Sequence, residues 1–383
     1  MSNLKNALEK NSNATILGVG PMSKNCVDAA LDLSKESILP IMLISSRRQI
    51  DYNSGYVNNW DTKNYSEYII NSKANVILAR DHGGPWQSDK DIKEKYDYQQ
   101  AMQSAKYSFE VDIDSGFQFL HIDPCIDIQQ NLNINTILDR LFELYEHCWE
   151  YAQLNKKEIY FEVGTEEQKE GFNTEDDIKF VLDEITKFCQ KKNIPKPFYV
   201  VVQTGTKVME TRNIGEFDSE LKDEELIKAI NSKLNRIKKI CDSYGVFIKE
   251  HNADYLSDRT LLIHPKSGIH AANVAPEFGV VETRAFCKIL KENNLQNLLE
   301  KFLEISYNSK KWEKWVLNKD KLSDKECAII SGHYVFSSQS FQQIKDNAKK
   351  ILSTKMIDLD EYLKNCVKQS ILRYLNNFNL IKS

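Results

Sequence analysis

The chain has 383 residues, 41% of them hydrophobic, and 51 lysines and arginines against 55 aspartates and glutamates leave a formal charge of −4. Without a basic stripe to neutralise a row of phosphates, nucleic acid is excluded as a partner, and no apolar run approaches the roughly 18 residues of a membrane span. The N-terminus lacks a cationic stretch followed by an apolar one, so a cytoplasmic protein is expected, and the eight cysteines, with no CxxC pair among them, read as reduced, buried small hydrophobes.

Short apolar runs predict strands at Thr15–Gly18, Ile41–Ser45, Val76–Ala79, Phe119–Ile122, Ile159–Val163, Tyr199–Val202, Val246–Lys249 and Ile269–Asn273. Longer amphipathic stretches lie between them, among them Asn135–Gln153, Thr174–Lys191 and Asp223–Tyr244. Eight strands alternating with helices favour a closed (β/α)8 TIM barrel, an α/β fold, over an open doubly wound sheet. The "GVG" that ends the first strand is a lone GxG without a third glycine and a following acid, which is insufficient for a dinucleotide site. The barrel is expected over residues 1–305. Residues 306–383 read as a helical C-terminal extension packed on it, with a last helix at Asp358–Asn376 and with Trp312 and Trp315 as packing residues.

In such a barrel the chemistry sits where strands end. Strand three runs into "RDHGGPWQ" with Asp81 and His82, and strand four into "HIDPC" with His121 and Asp123. Strand five gives Glu162 and Glu166, strand six Gln203, strand seven Glu250, His251 and Asp254, and strand eight His270, Asn273 and Glu277. So many polar groups at one rim are costly to bury singly, and a metal would satisfy several together. His82 and His251 are the expected ligands, with Glu166 or Gln203 completing a mixed N/O shell for Zn²⁺, or for Mn²⁺ or Co²⁺. Asp81 is expected to orient His82 or to shuttle a proton. Glu162, Glu166 and Glu277 are candidates for the working base. His121, inside its strand, His147, in a helix, and His264, before Pro265, are read as ordinary structural histidines. Arg47 and Arg48, with Gln49 beside them, are candidates to grip a phosphate or carboxylate, as are Lys266 and Ser267 before strand eight.

These blocks resemble the tagatose-bisphosphate aldolase accessory-subunit family, relatives of the class II ketose-bisphosphate aldolases. The likeness runs in the family's order from "VDAALDLSKESILPIMLISSRRQIDYNSGYV" through "DHGGPWQ", "SGFQFLHIDPC", "VGTEEQ", "VVQTG" and "EHNADY" to "VAPEFGVVETRA". It implies a (β/α)8 barrel and a divalent metal that polarises a ketose carbonyl for C3–C4 cleavage. By motif it assigns Asp81 and His82 after strand three, Glu166 after strand five, Gln203 in strand six, and His251 and Asp254 after strand seven. Three departures stand out: Asn273-Val274-Ala275-Pro276 followed by Glu277 where relatives carry Lys-Val-Gly-Pro, "SGHYVFSS" in place of an Asp-Arg-rich segment, and the pair Arg47-Arg48. Glu277 would repel a phosphate placed beside it, which argues against a bisphosphate. The expected function is a metal-dependent aldolase, or a C4 epimerase using the same retro-aldol step, acting on a ketose phosphate or related sugar. The alternative is a non-catalytic subunit that stabilises a separate class II aldolase, and self-association is also open.

Overall fold

The computed structural model describes residues 2–164, 174–202, 204–215 and 224–381. The eight apolar runs become β1 (Ile16–Val19), β2 (Ile41–Ser46), β3 (Val76–Gly83), β4 (Phe119–Ile122), β5 (Tyr160–Val163), β6 (Tyr199–Val201), β9 (Phe247–Glu250) and β10 (Ala271–Val274), with a small hairpin of β7 (Val208–Met209) and β8 (Arg212–Asn213) after β6. The eight close into a parallel barrel in the order β1-β2-β3-β4-β5-β6-β9-β10. Strands in such a barrel are covered on both faces, which is why they appear in the sequence as continuous apolar runs.

The helices are α1 (Ser2–Lys10), α2 (Lys24–Leu33), α3 (Thr62–Ser72), α4 (Asp89–Lys93), α5 (Tyr98–Asp114), α6 (Ile134–Leu154), α7 (Glu175–Lys192), α8 (Glu224–Tyr244), α9 (Asp258–Leu261), α10 (Ile263–Ser267), α11 (Pro276–Glu292), α12 (Gln296–Asn308), α13 (Asp324–Ser331), α14 (Gln339–Ser353) and α15 (Leu359–Asn377). Local signals set several of their ends. Asp97 and Gln100 form a capping box at α5, as do Thr174 and Asp177 at α7, and Asn193 in the left-handed conformation stops α7.

Inside the barrel the period of two along each strand stacks a polar layer on an aromatic one. Phe119, Tyr199 and Phe247 form the floor, with Phe119 and Tyr199 centroids 5.5 Å apart. One step nearer the C-terminal rim stand His121, Glu162 and Lys249, and register places His121 directly beside Glu162.

Two apolar cores hold the chain beyond α12 against the barrel. Val367, Ile371, Tyr374 and Leu375 of α15, with Phe378 and Leu380, join the main core, and α15 packs against α2 and α11. Phe286 and Leu290 of α11 pack with Phe302, Phe341 and Ile344 in a second core. Trp312 stacks on Tyr307 at 5.4 Å and belongs with Cys327 and Ile330 to a third, small cluster against which Trp315 packs.

Candidate functional site

The site is organised by an irregularity at the end of β3. Arg80 faces outward, where its guanidinium is wholly buried against Asp112 at 2.6 and 2.7 Å and the carbonyls of Ser45 and Ile50. Asp81, the next residue, faces the barrel, and alternation would send His82 out again. Instead the register with β4 shifts between Arg80 and Gly83, and His82 takes a left-handed backbone, φ 46°. Such a bulge re-aims a side chain, so that adjacent acid and imidazole both reach the mouth. The two glycines that follow are required by close approach: a Cβ on Gly83 would lie 2.4 Å from Phe109 Cζ, and one on Gly84 2.1 Å from the Asp123 carbonyl oxygen.

Three imidazoles meet there. The ring centroids of His82, His121 and His251 form a near-equilateral triangle of 5.2, 5.1 and 5.0 Å. Asp81 Oδ1 lies 3.8 Å from both His121 Nδ1 and His251 Nε2, and Glu162 Oε1 lies 2.9 Å from His251 Nε2. Two ligand sets are within reach of a single cation, His82-His121-His251 and Asp81-His121-Glu162-His251, with ligand atoms no more than 4.8 Å apart in each. A mixed imidazole and carboxylate set of this kind suits a divalent transition metal.

Surrounding groups fix this layer. Asp123 Oδ2 lies 2.7 Å from His82 Nδ1 and accepts from Gln87 Nε2 at 2.8 Å, which leaves His82 Nε2 for the interior. Asn273 Nδ2 donates to Asp81 Oδ1 at 3.2 Å. Lys249 Nζ donates to Glu162 Oε2 at 2.5 Å. Burial would push both acids up, but His82, His121, His251 and Lys249 hold Asp81 well below the usual carboxylate range, and Lys249, His121 and His251 hold Glu162 down at about 2. For His82 the downward pull of burial is exceeded by Asp81, Asp123 and Glu162, which raise it to about 9; at His251 burial prevails and the pKa falls.

His121, expected to be an ordinary strand histidine, is therefore part of the cluster. "HIDPC" carried the signal, since alternation puts His121 on the inward face two residues after Phe119. Lys249 went unread for a similar reason, lying two residues before His251. Glu166 and Gln203 lie outside the described residues.

Other candidates are placed elsewhere. Arg47 is buried, its N–H groups bound by Asp51 at 3.0 Å, Asp91 at 3.0 Å, Gly84 O at 2.9 Å and Ser104 Oγ at 2.8 Å, so it braces the glycine loop and has no hand free for an anion. Gln49 closes the turn after β2 by accepting from Ser46 N and Oγ, whereas Arg48 is part-exposed, 3.2 Å from Asp89. Lys266 sits in α10 and His270 immediately before β10, at the opposite, N-terminal rim, because both precede a strand. Glu250 faces outward to His264 Nε2 at 2.6 Å. His147 pairs with Glu110 at 2.9 Å between α6 and α5. Asp254 Oδ1 accepts the backbone N–H groups of Ala275 and Glu277 at the start of α11, and burial together with the charge of Glu277 raises it to about 8. Glu277 itself turns to Tyr255 N, Tyr374 and Ser370, with Arg373 at 3.6 Å. It is engaged by the C-terminal helix, so its charge no longer argues against a phosphate at the mouth.

No family model matches the sequence, and no curated protein matches it. Among solved structures, a probable tagatose 6 phosphate kinase from Sinorhizobium meliloti 1021 is similar with a TM-score of 0.75 at 14% identity over 95% of this chain and 100% of that one. The native fructuronate-tagaturonate epimerase UxaE from Cohnella laeviribosi gives a TM-score of 0.59 at 11% identity, covering 96% and 82%. A fructose-bisphosphate aldolase from Campylobacter jejuni gives 0.51 at 12% identity, covering 99% and 94%. At these identities the likeness establishes a shared (β/α)8 barrel fold.

Proposed function

We propose that the protein is a metal-dependent enzyme of the class II aldolase type, performing C3–C4 cleavage or C4 epimerisation on a ketose phosphate or related sugar. The observation that carries the reading is the triangle of His82, His121 and His251 beside Asp81 and Glu162, at the C-terminal mouth of the barrel. The barrels of an aldolase and of a sugar-acid epimerase support it as analogues in fold. The three histidines would hold the cation, zinc first and manganese or cobalt next, with Glu162 and the expected Glu166 and Gln203 as further donors. When bound, a cation there supplies Lewis acidity for a ketose carbonyl and for the charge of the enediolate.

The remaining chemistry falls to the chain. Asp81, ionised and directed inward, accepts the proton of the C4 hydroxyl as the C3–C4 bond breaks and C4 becomes an aldehyde. Returning that proton to C3 of the enediolate after release of the aldehyde completes cleavage; returning it to the C4 alkoxide, formed when the rotated aldehyde recombines with C3, gives the C4 epimer. Asp123 holds His82 in one orientation, and Lys249 keeps Glu162 ionised and fixed.

The reading is tested by incubating the zinc-, manganese- and cobalt-loaded protein with ketose phosphates and ketonic sugar acids and following triose release and C4 inversion by NMR. Turnover that falls about 100-fold or more in Asp81→Asn is expected. Turnover that appears only when a separate aldolase is added, and that is unchanged in Asp81→Asn, would replace this reading with the partner-subunit one.

A further inference from the structure

Residues 310–337 of the C-terminal extension lie across the barrel mouth. Trp315 O accepts from Glu210 N at 2.7 Å in the hairpin after β6, and Lys311 Nζ reaches Asp89 at 3.0 Å at the start of α4, which follows β3. Ser337 exchanges hydrogen bonds with the loop after β2, donating to Tyr56 O at 2.6 Å and accepting from Asn59 Nδ2 at 3.1 Å. The segment is thus a roof fastened to loops from three strands.

The charges on it and on the loop after β2 are unbalanced. Arg48 and Lys311 both approach the single carboxylate of Asp89. Lys314 lies over the rings of Trp315, at 4.7 Å, and Tyr334, at 5.3 Å, with no carboxylate partner among the described residues. Arg48 and Lys311 lie close enough to repel its ammonium. A second observation is independent of charge. His333 is 1% exposed, its ring 4.1 Å from that of Tyr334, and neither ring nitrogen has a hydrogen-bond partner among the described residues. The Tyr255 hydroxyl, in the loop after β9, is likewise buried and unpaired among them. Buried polar atoms ordinarily find partners, and those that do not mark a place for a missing one.

We infer that the roof carries an anion subsite in which Lys314, Arg48, Lys311 and His333 receive the terminal phosphate or carboxylate of the sugar. This rests on the reading that the mouth takes a sugar, and it specifies that the sugar is anionic at the end away from the histidine cluster. The three cations supply attraction and charge-assisted donors. Neutral His333 supplies one N–H, and the pairing of Arg48 and Lys311 with Asp89 keeps them in place before the ligand arrives.

The test is titration of inorganic phosphate and, separately, glycolate into the full-length protein, read by calorimetry and by ³¹P line broadening. Saturable millimolar binding is expected, weakened about tenfold or more in Lys314→Met, as for loss of a hydrogen bond to a charged group, and largely restored in Lys314→Arg. Lys314 is exposed, so the substitution leaves the core intact, which circular dichroism verifies. Preference for phosphate identifies a sugar phosphate, and preference for glycolate a sugar acid. Binding of neither anion, or equal binding by native, Lys314→Met and Arg48→Met proteins, overturns the inference. Since anion binding needs neither metal nor turnover, this result is separable from the fate of the proposed reaction.

Discussion

Lys249→Met probes the buried layer directly. Glu162 is 0% and Lys249 1% exposed, and the Glu162 carboxylate is shared between Lys249 Nζ at 2.5 Å and His251 Nε2 at 2.9 Å. Burial disfavours that carboxylate, and Lys249 is the foremost of the charges that keep it ionised. Removing one partner of a buried pair costs about 3–5 kcal/mol, because the other is left uncompensated. His251 remains as a partner, which places the expected loss at the lower end, about 3 kcal/mol. Replacing both members by neutral groups of similar size is often close to neutral, so Glu162→Gln in the Lys249→Met background should recover much of the loss, with a coupling of about 2 kcal/mol. Urea midpoints and slopes for the four proteins of the cycle, with thermal midpoints alongside, give that coupling. Costs that add within about 0.5 kcal/mol would refute a buried pair.

Asp123→Asn should leave the fold intact while weakening metal binding about 10- to 100-fold, since the carboxylate that orients His82 is lost; equal affinity by competitive chelation would contradict this. Gly84→Ala should destabilise by about 1–3 kcal/mol, because the added methyl would meet the Asp123 carbonyl oxygen at 2.1 Å, and unchanged stability would show the loop free to move. Stability should also fall on acidification through His333, whose pKa burial and then Lys314 lower from 6.5 to about 3. The native ring stays neutral while the unfolded one gains a proton, so the contribution is complete above the unfolded value and is lost as pH drops toward the folded one, at up to about 1.4 kcal/mol per pH unit. Thermal midpoints from about pH 7 to pH 5 should therefore slope less in His333→Gln than in the native chain, and parallel curves would exclude this origin.

The barrel was legible because its strands are buried on both faces and its helices on one, so that apolar runs and amphipathic stretches alternate without ambiguity. All eight strands fall within two residues or so of the apolar runs at their starts, and β3 runs four residues further because its polar end, from Arg80 to Gly83, still pairs with β2 and β4. Site residues were harder to place, since a strand end does not announce which way its last side chains face. His121 looked interior and proved to face the cluster; Arg47 looked like an anion ligand and proved to be a buried brace. Lys266 was assigned to the mouth although a residue that precedes a strand belongs to the other rim. Partners distant in sequence decided the rest: α15 claims Glu277 through Tyr374 and Arg373, and the roof that approaches Arg48 comes from more than 260 residues further along the chain.

Metal content tests the centre most directly. The protein and its His82→Ala, His121→Ala and His251→Ala variants, purified identically, should be measured by elemental mass spectrometry before and after incubation with zinc, manganese or cobalt. About one ion per native chain is expected, as for a single closed site, with substantial loss in each variant, including His121→Ala. A native chain that takes up no metal under any of these conditions, or variants that retain it fully, would contradict a metal centre built on the three histidines.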